Sequence, residues 1–261
     1  MERKTWFFSL LLVCLGVAAP QPAPAEASRL ETILQAGILR VGTTGDYQPF
    51  SSLDKATGAY SGFDVDMAHA LADALGVRLE FAPTAWPRLA RDLQDGAFDI
   101  AMGGVSVTLD RQKLGFFSEP YLRDGKTPIA LCADEAKYQT LADIDRPGVR
   151  VIVNPGGTNE RFDRAHLHNA DMVVEPDNTK VFDALAAGKA DVMITDASET
   201  RLQEKLHPGA LCAVHPDKPF DFAEKAYWMP PDPALKAFVD QWLRLMKEDG
   251  RFEALAAKWL Q

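Results

Sequence analysis

The sequence predicts an α/β protein of two lobes, each a mostly parallel sheet flanked by helices, with two crossings between them. Three observations predict it. Short apolar runs alternate with amphipathic stretches from residue 29 to the C-terminus, the pattern of strands covered by helices. Two breaks carrying proline or glycine, near Glu119–Thr127 and Pro216–Phe222, enclose one complete α/β block, as if one lobe were inserted into the other. Two junctions, AMGGVSVTLDRQ (Ala101 to Gln112) and VIVNPGGTNERF (Val151 to Phe162), each run from a strand through small and hydroxyl residues into a helix start. A helix start offers unpaired N–H groups and partial positive charge, so it suits an anion. Two such junctions suggest lobes gripping a small carboxylate from opposite sides.

The elements follow in order. Arg29–Ala36 reads as a short helix closed by Gly37, and Ile38–Thr43 as a strand. Asp64–Leu75 reads as a helix with Phe63, Met67, Leu71 and Leu75 on one face, ended by Gly76. A strand at Val77–Phe81, a helix at Trp86–Gln94 and a strand at Phe98–Met102 complete the first run. The inserted block reads as strands at Pro128–Leu131 and Val149–Val153, a helix at Asn159–His166 and a strand at Met172–Val174. A helix at Thr179–Ala187, a strand at Asp191–Thr195 and a helix at Ala197–Leu206 follow. A strand at Lys225–Met229 and two C-terminal helices close the chain. The expected division is 26–121 with 223–261 as lobe 1, and 122–222 as lobe 2. Ligands of such sheets bind at the carboxyl ends of strands.

Residues 1–25 differ from the rest. Arg3 and Lys4 precede the apolar run Phe7 to Val17, and Ala23-x-Ala25 offers a cleavage site before Glu26. This reads as a secretory signal peptide, which places the mature protein in the periplasm with no membrane segment. Val13 before Cys14 is a poor lipoprotein site. Cleavage removes Glu2, Arg3 and Lys4 and takes the net charge from −9 to −10. So acidic a chain argues against nucleic-acid binding, and any anion site must be local. Export permits a disulfide between Cys132 and Cys212; both end apolar runs, so buried thiols fit as well. No pattern of metal ligands stands out, and neither metal nor cofactor is expected.

The segments TTGDYQPFSS, GFDVDMAHALADALG, GAFDIAMGGVSVTLDRQ and GKADVMITD resemble the periplasmic solute-binding proteins for polar amino acids. The resemblance spans nearly all of Ser28–Gln261 and implies the type II periplasmic binding protein fold. PTAWPRL, SEPYLRDGKTPI, VNPGGTNERF, TDASETRLQ and LCAVHPDKPFDFAEKAY are more similar to the enzyme branch of that fold, the cyclohexadienyl dehydratases. That resemblance implies conversion of prephenate to phenylpyruvate, or arogenate to phenylalanine, with loss of CO2 and water. The alternative is a non-catalytic receptor delivering an amino acid to a transporter permease.

The same segments single out residues. Arg111 sits in an opening helix turn, where a cation opposes the dipole, and matches the arginine that holds a ligand carboxylate in relatives. Thr108 and Ser106 flank it, and Gly103 and Gly104 replace hydroxyl residues common in the binding proteins. Tyr47 and Trp86 match aromatic positions that pack on the ligand; Trp86 would also fit a helix entry with Pro87 in the first turn. Thr158 and Asn159 begin the second junction helix, as anion ligands or as an ordinary N-cap. Asp196 follows a strand and matches the aspartate that pairs with a ligand ammonium. Glu199 is the candidate general acid by resemblance, although Asp-x-x-Glu also spells a capping box. Glu224 is the reserve acid, or a hinge ion pair with Lys225 or Lys126.

Overall fold

The structure, a computed structural model, describes residues 1–2 and 27–260. The predicted signal peptide and Cys14 lie outside the described residues. None of the described helices is long and apolar enough to cross a membrane.

Two five-stranded sheets carry the molecule. The first has the order Arg78–Pro83, Ile38–Thr43, Ile100–Ala101, Trp228–Met229, Phe116–Phe117. Val41 pairs with Phe81 on one side and Ile100 on the other, both in parallel register. The second has the order Asp171–Val174, Arg150–Val153, Val192–Asp196, Lys126–Leu131, Leu211–Ala213. Here Val151 pairs in parallel with Met172 and Val192. Each sheet therefore has a parallel half, and to it the structure adds an antiparallel half. Trp228 opposes Ala101, and Met193 opposes Ile129. The chain passes to the second sheet through Leu122–Asp124 and returns through Ala223–Lys225. These segments pair as a short antiparallel ribbon with Glu224 opposite Arg123.

Local chemistry explains most boundaries. Ser28 and Glu31 close a capping box on Arg29–Ala36, and Gly37 ends it in the left-handed region. The Phe63–Leu75 helix buries Phe63, Met67, Leu71 and Leu75 on one face, at about 1.5–3 kcal/mol per side chain. Its face joins Phe50, Trp242 and Phe252 in the first core. Ile129, Ile152, Leu185 and Met193 centre the second. Two expected elements change. The helix expected from Trp86 begins only at Leu89, after a turn through Trp86–Arg88, so Pro87 does not open it. The strand expected over Lys225–Met229 divides, because the chain leaves the ribbon at Lys225 and enters the first sheet at Trp228.

Cys132 and Cys212 form a disulfide that ties the edge strand Leu211–Ala213 to the end of Lys126–Leu131. The bridge closes a separation of 80 residues. Removing such a link typically costs about 2–4 kcal/mol, mainly by freeing the unfolded chain. Cys132→Ser with Cys212→Ser is expected to lower Tm by roughly 4–16 °C, at about 2–4 °C per kcal/mol for a chain of this size. An unchanged Tm in a thermal scan would contradict a stabilising bridge.

Candidate active site

The site lies between the two sheets, at the carboxyl ends of their strands. Asp196 ends the fully buried strand Val192–Asp196, and the helix Ala197–Leu206 starts directly after it. Its carboxylate accepts from Lys126 Nζ at 2.8 Å and Lys225 Nζ at 2.6 Å, and Tyr47 Oη donates to it. Burial alone would raise this carboxyl, but the two ammonium groups outweigh it and hold it well below the usual carboxylate range. Lys126 Nζ also donates to Thr158 Oγ1 at 3.0 Å and to Asn159 Oδ1. Lys225 Nζ also donates to Ser106 Oγ at 2.9 Å and Tyr47 Oη at 3.1 Å.

This network corrects several sequence expectations. Asp196, expected to pair with a ligand ammonium, here pairs with two lysines. Gly157, not Thr158, is the N-cap of the Thr158–His166 helix, and Thr158 and Asn159 serve Lys126. Asp196 makes no side-chain cap bond, so Asp-x-x-Glu is not a capping box here. Glu224 makes neither ion pair expected for it, since Lys126 and Lys225 both go to Asp196. Adjacent strand residues face opposite ways, so Lys225 entering the site turns Glu224 out of it.

Arg111 is 6% exposed and, among the described residues, pairs with no carboxylate. Its Nη1 donates to Ser106 O at 2.8 Å, and its guanidinium lies 6.0 Å from the Trp86 ring centre. Burial, then the charge of Arg161, lowers it to about 10. The Leu109–Gln112 helix is only one turn long, so Arg111 is as near its last turn as its first. The dipole argument for Arg111 therefore fails. A buried cation lacking an anion is the stronger reason to assign it to a ligand.

The space at the centre is narrow, with about 20 Å³ open to water, room for roughly one molecule. Tyr47, Trp86, Gly104, Ser106, Thr158 and Asn159 contribute to its wall, with Asp196 and Lys225. Trp86 meets Tyr47 edge-on at 5.6 Å and donates from Nε1 to Asp46 Oδ1 at 3.1 Å. Gly104 is required by contact: at φ 72° a Cβ there would stand 2.5 Å from Tyr47 and 2.6 Å from Phe50. Its N–H donates to the buried Asp64 at 2.5 Å. Across the cleft, a Cβ on Gly156 would stand 2.5 Å from Pro87, so the Pro155-Gly156-Gly157 turn closes directly against the Trp86–Pro87 turn.

Glu199 is 3% exposed and accepts from Thr195 Oγ1 at 2.5 Å. Burial pushes its carboxyl up to about 8, and the Asp196 charge adds to this against the Thr195 hydrogen bond. It therefore carries a proton at neutral pH. Glu199 lines not the central space but a larger adjoining cleft, and Asn178 alone lines both. Asn178 Nδ2 donates across the cleft to Asp46 O at 2.8 Å. The sequence reading missed Lys126 and Lys225 as site residues, and it missed Asn178. A lysine heading the apolar run KTPIAL, and another entering AYWM, was the available signal. Nothing in the sequence distinguishes Asn178.

With Asp196 ionised and Glu199 neutral, Lys126, Lys225 and Arg111 leave a local charge of about +2 inside a chain of net −9. Lys225 and Asp196 line the central space, while Lys126 and Arg111 stand outside its lining; the surplus positive charge suits an anion.

Known proteins are similar to this chain along most of its length. A cyclohexadienyl dehydratase of Pseudomonas aeruginosa is 56% identical over 250 residues, covering 96% of this chain and 92% of the relative. The L-cystine-binding protein TcyJ of Escherichia coli is 27% identical, covering 90% and 87%. Among solved structures, an ancestral amino acid-binding protein described as a precursor of cyclohexadienyl dehydratase superposes with a TM-score of 0.83. It is 37% identical and covers 90% of this chain and all of that one. An ancestral cyclohexadienyl dehydratase is 53% identical with a TM-score of 0.57, covering 90% and 97%. The family model for bacterial extracellular solute-binding proteins, family 3, matches residues 39–261. The chain belongs to the bacterial extracellular solute-binding proteins, family 3.

Proposed function

We propose that this chain is a cyclohexadienyl dehydratase, exported to the periplasm, that converts prephenate to phenylpyruvate and accepts arogenate more weakly. The observation that carries the reading is a buried carboxyl, Glu199, whose burial favours its protonated form, close to a cluster of buried cations around Asp196. The relative at 56% identity supports the same activity. Prephenate brings two carboxylates, and Arg111 with the lysine pair supplies local positive charge to hold them. Tyr47 and Trp86 offer the ring an aromatic wall.

The reaction balances with an acid alone. The ring C–OH bond breaks as Glu199 gives its proton to the departing oxygen, forming water. The ring C–carboxylate bond breaks in concert, and its electron pair enters the ring, which becomes aromatic as CO2 leaves. Glu199 is left as a carboxylate. No redox change occurs and no nucleophile is needed. Asn178 lines both the central space and the cleft that holds Glu199, so the proton would pass close to that side chain. Closure excludes water and strengthens every charge interaction inside. Residues 26–121 with 223–261 would move against 122–222. The lower superposition of the 53% identical dehydratase than of the 37% identical precursor is what lobes set at another angle would give.

Saturation of Asp196 weighs against the amino-acid receptor, because an incoming ammonium would have to displace a lysine. It also favours keto acid over amino acid as substrate. The test is phenylpyruvate formation by purified residues 26–261 given prephenate, beside calorimetric titration with standard amino acids. Many turnovers per protein, with a higher kcat/KM for prephenate than arogenate, are expected. Tight stoichiometric binding of an amino acid without turnover would establish the receptor instead.

A further inference from the structure

We propose that the cleft beside Glu199 is a proton port, through which this acid is recharged from solvent while the lobes stay closed on substrate; this rests on the dehydratase reading above. Each turnover leaves Glu199 as a carboxylate that must regain a proton. The central space is a poor route for it, since Lys126, Lys225 and Arg111 repel a hydronium or a cationic acid.

The adjoining cleft has the opposite character. About 350 Å³ of this half-open cleft is free to water, room for a chain of waters. Asp46 and Asp183 supply negative charge to its wall, and Gln203 supplies a buried amide. At its mouth His207 Nε2 lies 3.6 Å from Asp183 Oδ1, and Lys55 reaches Asp177 at 3.5 Å. The charged groups that act on Glu199 directly are Asp196, Lys126 and Lys225. Glu199 itself is arranged for delivery. Oε2 is tied to Thr195, while Oε1 has no partner among the described residues and is not sealed from solvent. Asn178 Oδ1, buried and unpartnered, stands on the partition between the two spaces. Anion and proton thus reach the reacting centre from different sides.

The experiment narrows the port from each lobe separately. Ser52→Trp and Thr179→Trp both stand on the cleft wall and touch none of the anion-binding groups. Phe222→Trp, on the opposite cleft beside Lys126 and Arg161, is the control. Turnover of prephenate is measured for each folded variant in H2O and in D2O. The two plugs are expected to lower kcat by about tenfold with KM little changed, and to raise the solvent deuterium isotope effect on kcat because proton delivery becomes slower than the chemistry. The wild type and Phe222→Trp should show neither change. Plugged variants that turn over at the wild-type rate, or whose loss brings no larger isotope effect, would overturn the port while leaving the dehydratase standing. Absence of prephenate turnover in the wild type would overturn both.

Discussion

Glu199→Gln is expected to lower kcat for prephenate by about 10² to 10⁴, the usual contribution of a positioned acid, and at the same time to make the protein more stable at pH 8. The two effects have one cause. The unfolded chain releases the Glu199 proton near the ordinary value of 4.5, but burial holds it in the folded protein to about 8. Below pH 4.5 both states are protonated and the group costs nothing. As pH rises towards 8, only the unfolded state gains by ionising, so the wild type loses stability across this window. Glutamine accepts the Thr195 hydrogen bond and never ionises. The variant should therefore unfold at a higher temperature at pH 8, by on the order of 3 kcal/mol, with the difference vanishing at pH 4. Wild-type kcat/KM should fall as pH rises through about 8, where the free enzyme loses the acid. Thermal scans at the two pH values, beside turnover, check both halves. Retained turnover would remove Glu199 from the reaction, and equal Tm at pH 8 would deny its buried proton.

Asp196→Asn is expected to destabilise the protein by about 3–5 kcal/mol, because two buried ammonium groups lose their counter-charge. Lys225 is fully buried and Lys126 nearly so, leaving little water to take over. The pH dependence has the opposite sign from that of Glu199. The folded carboxyl is held below its ordinary value, so its contribution is complete above about pH 4 and fades as acid titrates it. Wild type and variant should converge in acid. Adding Lys225→Met should recover part of the loss, since it removes one orphaned charge. Denaturant unfolding at pH 7 gives the number. A change under 1 kcal/mol would contradict the network as the brace of the closed site.

Much of the fold could be read from the chain, because its signals are local. Ser28 with Gly37 marks one helix, and the Phe63–Met67–Leu71–Leu75 stripe marks another; each follows from short-range geometry. The antiparallel halves of the sheets could not be read this way. Which strand lies beside Lys126–Leu131 is decided by contacts more than sixty residues distant. The site divides along the same line. Arg111, Tyr47, Trp86 and Glu199 stand in recognisable segments; the structure puts Tyr47 and Trp86 on the central space, Arg111 6.0 Å from the Trp86 ring, and Glu199 on the adjoining cleft. Glu224 reads as a reserve acid because it precedes the strand that returns to the first lobe. Strand alternation, invisible without the ribbon's orientation, sends Lys225 inward instead. The roles of Asp196, Thr158 and Asn159 changed for a single reason: the sequence does not show that two lysines converge on them.

What most directly tests the account is the protonation state of Glu199 at neutral pH. Infrared difference spectra between wild type and Glu199→Gln isolate this one side chain from the other buried acids. The account predicts a protonated-carboxyl C=O band at pH 7 that the variant lacks and that disappears as pH passes about 8. A carboxylate band at pH 7 in its place would show that the site stores no proton, and would leave an anion-binding pocket without the acid its chemistry requires.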